Sequence, residues 1–136
     1  MATTQLTDRT CIRVDADPEK LNRLRRAAMA NDRLVAMAAF MSAVANETRL
    51  RMLFVLWVAG ELCVCDLADV FGISQPAVSR HLKILRKKAL VETRRNAQTI
   101  FYSVCKDNLF ARLLVRLFEE QEADGVILNL NISEHA

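Results

Sequence analysis

Between Ile73 and Val104 the apolar rhythm of the chain changes once, and that change fixes the kind of fold available. In "ISQPAVSRHLKILRKKAL", Val78, Leu82 and Leu85 recur at i, i+4 and i+7, a helical period. "VETRRNAQTIFYSV" then reads as two strand-like runs, Leu90–Arg94 and Thr99–Val104, around "RNAQ", a β-hairpin with a basic tip. Ser74 is a natural N-cap and Pro76 fits the first helical turn. With the three apolar residues facing inward, Gln75, Ser79, Arg80, Lys83 and Arg86 or Lys87 fall on or beside the opposite surface. A helix with a polar, basic outer face, preceded by a short turn and another helix, is the arrangement that enters a major groove. The hairpin beside it is a wing, from which Arg94 and Arg95 reach phosphates or the minor groove. The expected fold class is mostly α with a β-hairpin wing, a winged helix-turn-helix.

Composition agrees. The chain has 136 residues, 52% of them apolar, with only 3 Gly and 2 Pro, which favours long helices over a sandwich or barrel. The formal net charge of +3 names no partner, but its distribution does. From Ser79 to Arg95 lie Arg80, Lys83, Arg86, Lys87, Lys88, Arg94 and Arg95 against the single acid Glu92, the electrostatic footprint of nucleic-acid binding. "MATTQLTDRT" carries no apolar signal region, and the longest apolar run, Met52 to Ala59, is too short to span a bilayer. A soluble, cytoplasmic protein is expected, with no membrane partner. In a reducing compartment the four cysteines, Cys11, Cys63, Cys65 and Cys105, are ligands, reactive thiols or core fillers rather than a disulfide framework.

Upstream, residues 1–17 read as a loose polar arm, 18–123 as the DNA-binding and dimerisation domain, and 124–136 as a short tail. Asp17 and Pro18 open one helix, "DRLVAMAAFMSAVA" makes a second, and Asn46 caps a third whose Leu50, Leu53, Phe54 and Trp57 face inward until Gly60. "ELCVCDLADVFG" then reads as helical to Gly72, with Leu62, Leu67, Val70 and Phe71 in its apolar stripe. It places two soft donors, Cys63 and Cys65, roughly 160° apart on a regular helix. The last helix, "DNLFARLLVRLFEEQEAD", has an apolar face wider than one packing contact needs: Leu109, Phe110, Leu113, Leu114, Leu117 and Phe118. Together with the apolar 34–45 helix it points to a homodimer. Cys105 fits a core position or a free thiol, Met29, Met37 and Met41 fit core packing, and His135 lies in the tail.

The order of elements around "ELCVCDL", "SQPAVSRHLKILR", "LVETRR" and "IFYSV" resembles the ArsR/SmtB family of bacterial metal-responsive repressors over roughly Leu34 to Phe118. "RTCIRVDADPEKLNRL" is similar to the N-terminal arm of its cadmium/lead-responsive, CadC-like branch. That resemblance implies a thiolate-rich metal site built from Cys63 and Cys65 with Cys11 of the other subunit. Where that branch often has a second arm cysteine, this chain has Asp15, a candidate fourth ligand alongside water. The family's other metal site, on its last helix, maps to Lys106, Asn108, Glu119 and Glu122, and a lysine and an amide among these predict no metal there.

Three thiolates repel one another and must each lose a proton, so a divalent cation resolves the site and binding weakens at low pH. Thiolates select soft or borderline ions, which excludes magnesium and calcium. Three sulfurs suit Pb(II) and As(III), whereas Cd(II) or Zn(II) would recruit Asp15 or water toward four-coordination. The resemblance of the N-terminal arm favours Cd(II) or Pb(II) as inducer. "SQPAVSRHL" is similar to the arsenite-responsive branch, so As(III) stays open. Double-stranded operator DNA is the expected partner, met by phosphate contacts from Lys83, Lys87, Arg94 and Arg95. Base readout falls to Gln75, Ser79, Arg80 and His81, the last equally a plain helix-surface residue, and the N-cap Ser74 is counted with the DNA-binding residues. A thiol redox or sulfide sensor, with Cys63 or Cys65 pairing with Cys11, is the rival within the class. A metal buffer that ignores DNA is disfavoured by the cationic block. An enzyme is not expected, and no small-molecule substrate: no Cys–His pair with an orienting group, no phosphate loop and no paired carboxylates are found.

Overall fold

The computed structural model describes residues 13–123, so Cys11 and the 124–136 tail lie outside the described residues. The chain falls into two compact units, Met1–Val35 and Ala36–Ala136. In the first, helix α1 (Pro18–Met29) starts where predicted: the Asp17 carboxylate accepts from the Lys20 N–H at 3.1 Å, and Pro18 opens the first turn. No residue of α1 is buried. Helix α2 (Asp32–Val44) begins in this unit and continues into the second; the Asn31 side chain accepts from the Arg33 and Leu34 N–H groups at its start.

The second unit continues with α3 (Glu47–Ala59), β1 (Leu62–Cys63), α4 (Val64–Phe71), α5 (Gln75–Lys87), β2 (Val91–Asn96), β3 (Thr99–Val104) and α6 (Leu109–Ala123). Asn46 caps α3 through the Arg49 N–H at 3.0 Å. Ser74 caps α5, its hydroxyl oxygen accepting from the Ala77 N–H at 3.2 Å. The core gathers Met52, Leu53 and Leu56 of α3, Leu67 of α4, Val78, Leu82 and Leu85 of α5, Leu90, Val91 and Val104 around the sheet, and Leu114 and Phe118 of α6. Aromatic contacts join the helices. Phe54 meets Phe118 edge-on at 5.4 Å, and Phe40 of α2 stacks on Phe110 of α6 at 4.9 Å.

The sheet corrects two expectations. It has three strands in the order β1-β3-β2, all antiparallel, so the wing is a hairpin with an added strand. Leu62 and Cys63 leave the predicted 61–72 helix and pair with Tyr102 and Phe101. Two residues are too few to show a period of two, which hides such a strand from pattern reading. Gly60, at φ 89, makes the turn that brings them there. Strand β2 also runs two residues past Arg94, through Arg95 and Asn96, and leaves a two-residue turn at Ala97–Gln98. Val70, placed in the apolar stripe of α4, is 56% exposed.

Candidate nucleic-acid interface and thiol site

Helix α5 presents the two faces its spacing demands. Val78, Leu82 and Leu85 are 0–1% exposed, while Gln75, Ser79, Arg80, Lys83 and Lys87 lie in solvent. α4 packs against α5, and α3 also packs against α5. The N-cap Ser74 is exposed at the end of α5 where a helix offers free N–H groups to phosphate. His81 lies between the faces. It is half-buried, and its Nδ1 is buried with no hydrogen-bond partner. Burial, then the Arg49 charge, then the Arg80 charge hold its pKa below the ordinary imidazole value. A neutral imidazole adds no cation to the surface at neutral pH.

Arg94 and Arg95 are both exposed on β2, but only one is unencumbered among the described residues. Glu61, the residue before β1, accepts from Arg94 Nε at 3.1 Å and from Nη2 at 2.5 Å, a two-pronged pair. The Arg94 guanidinium also lies 4.9 Å from the centre of the Phe101 ring. The hydrogen bond to Arg94 holds the Glu61 carboxyl below the usual carboxylate range.

The cysteine pair is not where a continuous helix would put it. Cys63 has extended backbone (φ −89, ψ 171) and is the N-cap of α4, whereas Cys65 is in that helix's first turn. The helix therefore begins between the two cysteines rather than running through both. Asp66 completes a reciprocal cap: its carboxylate accepts from the Cys63 N–H at 3.4 Å, and its own N–H faces the Cys63 sulfur. Cys63 is half-buried and Cys65 exposed; with Cys105 they are free thiols. Burial chiefly pushes the Cys63 thiol up; the Asp66 N–H opposes this, and the Asp66 carboxylate adds to the rise.

Two soft donors at one helix start suit a soft cation. Among the described residues no three His, Cys, Asp or Glu side chains converge on one point. Asp15 is exposed ahead of α1. At the mapped second site, Asn108 is committed to structure. Its amide donates to the Lys88 and Ala89 carbonyls at 3.0 and 2.9 Å, and its oxygen accepts from the Phe110 N–H at 2.8 Å.

Sequence reasoning missed Glu61, Asp66 and Arg49. Glu61 and Arg94 are 33 positions apart, and no local pattern links them. Asp66 did carry a signal, the acid three residues after an N-cap, masked by the assumption that the helix started earlier. Arg49, whose Nε donates to the Ala43 carbonyl at 2.7 Å, had none.

The sequence profile described as "Bacterial regulatory protein, arsR family" matches residues 46–93. The chain is 38% identical over 91 residues to a transcriptional repressor SmtB homologue of Synechocystis sp., spanning 67% of this chain and 68% of that one. It is 29% identical over 103 residues to a cadmium resistance transcriptional regulatory protein CadC homologue of Staphylococcus aureus, covering 76% and 84%. Among solved structures, the transcriptional repressor BigR from Xylella fastidiosa superposes with a TM-score of 0.61 at 33% identity, over 73% of this chain and 95% of that one. A homodimeric winged helix-turn-helix DNA-binding domain from Mycobacterium bovis gives 0.56 at 26% identity, over 84% and 90%. These relatives are transcriptional regulators, not enzymes, and among the described residues no helix is long and apolar enough to cross a membrane. With the profile falling on α3 to β2 and the SmtB homologue matched over two thirds of its length, the chain belongs to the ArsR family of bacterial regulatory proteins.

Proposed function

We propose that the protein is a dimeric repressor that holds operator DNA with α5 and the wing and releases it when cysteine thiolates bind a soft metal ion. One observation carries the reading. Cys63 both caps the helix packed against α5 and is hydrogen-bonded, through β1, to the central strand of the wing. A cation gathered at Cys63 and Cys65 thus acts on both DNA-facing elements at once.

The dimer is supported by an apolar row that α6 leaves uncovered, Leu109, Leu113 and Leu117 at 56, 47 and 62% exposure, with Met37 and Met41 of α2 also exposed. The homodimeric Mycobacterium bovis relative adds to this. Two α5 helices would then meet successive major grooves, about 34 Å apart. Gln75, Ser79 and Arg80 read bases, Lys83, Lys87 and Arg95 hold phosphate, and Ser74 offers the helix start. His81 contributes shape rather than charge.

Cys11 from the partner's arm completes a three-thiolate site, with Asp15 or water as a fourth ligand for Cd(II) or Zn(II) and three sulfurs sufficient for Pb(II). The likeness to the cadmium resistance regulator, over 84% of that protein's length, supports Cd(II). The likeness of the N-terminal arm to the cadmium/lead-responsive branch extends the reading to Pb(II), with As(III) the alternative. A differential of about 3 kcal/mol between the DNA-competent and metal-bound geometries lowers operator affinity roughly 150-fold. The test is a titration of operator complexes with Cd(II), Pb(II) and arsenite, beside ultraviolet thiolate-to-metal absorption. Cys11→Ser, Cys63→Ser and Cys65→Ser should each weaken both signals. Undiminished release by the three variants would defeat the reading, and release by oxidants alone, reversed by dithiothreitol, would replace it with redox sensing.

A further inference from the structure

The wing holds a row of side chains whose order is set by strand register. Cys63 pairs with Phe101 across β1 and β3, and Phe101 pairs with Arg94 across β3 and β2. Directly paired residues share a face of an antiparallel sheet, so all three project on one side, and Glu61, two residues before Cys63, projects with them. The Arg94 guanidinium over the Phe101 ring and the Glu61 carboxylate on its Nε and Nη2 agree with that placement. Two inter-strand spacings, about 10 Å, separate the Cys63 and Arg94 backbones.

A guanidinium so engaged is a poor phosphate ligand. Its charge is balanced, and its best two-pronged edge is occupied. We propose that Glu61 is a positioning residue for DNA binding: by pairing with Arg94 it withholds the wing's guanidinium from the DNA backbone, and metal held at Cys63 keeps that pair closed. The pair is exposed, with 54 and 40% of the two side chains in solvent, so without metal a phosphate competes with the carboxylate for Arg94 and gains it only part of the time, and with metal not at all. The metal clause rests on the reading of Cys63 as a ligand. The withholding of Arg94 does not.

The experiment compares the full chain with Glu61→Gln by operator binding across a salt series. Freed Arg94 adds up to one phosphate contact per protomer, which steepens the slope of log K against log salt by up to about 0.9 per protomer, about 1.8 for the dimer, and tightens binding by at most about fivefold per protomer at 0.15 M salt. Adding Arg94→Gln to Glu61→Gln should return the slope to the wild-type value. Glu92→Gln removes the same charge from the same strand as Arg94, at a residue with no ion-pair partner among the described residues, and should leave the slope unchanged. A Glu61→Gln slope no steeper than that of Glu92→Gln overturns the proposal, as does a steeper slope that survives the Arg94 substitution. With Cd(II), Glu61→Gln should keep the thiolate absorption of the wild type but lose less operator affinity; an equal loss overturns the metal clause. If the wild type shows no thiolate absorption with any of the metals, the metal reading falls while the salt slopes still decide the role of Glu61.

Discussion

Helices α5 and α6 both carry apolar stripes, and the structure treats them differently. On α5 the three spaced residues are fully enclosed and, apart from Pro76, Ala77 and Ile84, the rest of the helix is polar. On α6 the apolar residues split: Ala111, Leu114 and Phe118 enter the core, while Leu109, Leu113 and Leu117, one helical step away, stay outside. A stripe as wide as one packing contact belongs to the protomer's own core; the surplus width on α6 is surface awaiting another surface. On the function proposed above, the difference separates a helix that shows its polar side to DNA from one that shows its apolar side to a second copy.

The comparison breaks most visibly under truncation. Leu82→Ala, at a position 1% exposed, should cost about 2–5 kcal/mol whatever the protein concentration, read from urea unfolding. Leu113→Ala should cost little at high dilution and more as concentration rises, because its burial depends on association. Equal, concentration-independent losses at both sites would erase the distinction.

The next largest effect is on assembly. Leu113→Glu with Leu117→Glu should weaken self-association at least tenfold, about 1.4 kcal/mol, in sedimentation equilibrium while the helical circular dichroism stays the same. The salt slope of operator binding should fall by about half, since a monomer carries one α5 and one wing.

Where sequence reading succeeded, the reason was length. The stripe of α5, the caps at Asp17, Asn46 and Ser74, and the second wing strand are local patterns, and each was found in place. Met29, Met37 and Met41, read as core packing, are instead 80, 37 and 54% exposed. The other misses were mostly short or remote. β1 has two residues, Cys63 is a cap rather than a helix residue, and the Glu61–Arg94 pair depends on a turn at Gly60 and a register 33 positions away. The width of the α6 stripe was also plain in the sequence, though not which of its leucines would be left outside.

A smaller prediction concerns how α5 ends. Ala89 adopts φ 54, a left-handed conformation that favours glycine, with the Leu90 N–H donating to the Leu85 carbonyl and the Ala89 N–H to the Arg86 carbonyl, each at 3.0 Å. This is a Schellman ending with a side chain where none is wanted. Ala89→Gly should stabilise the protein by about 0.5–1 kcal/mol, the relief of left-handed strain less the extra entropy of glycine in the unfolded chain. A rise of a few degrees in Tm with an unchanged salt slope would show that the end of α5 is adjusted independently of its DNA-facing side. A fall would mean that the Ala89 methyl packs to advantage.

The smallest effect probes the border between the two faces of α5. His81 is held neutral by burial, then by the Arg49 and Arg80 charges, so its pKa in the folded chain lies below the 6.5 of a free imidazole. The unfolded chain therefore takes up the proton first. The stability this group contributes is complete above pH 6.5 and is lost as pH falls through the lower, folded value. His81→Gln removes that titration. Between pH 7.5 and 5.5 the wild type should lose stability faster than the variant, with the other groups cancelling in the difference. The gap should be small, because the ring is only half-buried and water screens both arginines. Parallel pH profiles would mean that the imidazole ionises as freely as in the unfolded chain. It would then rank with Arg80 on the outer, DNA-facing side, and the border on α5 would lie one residue further in.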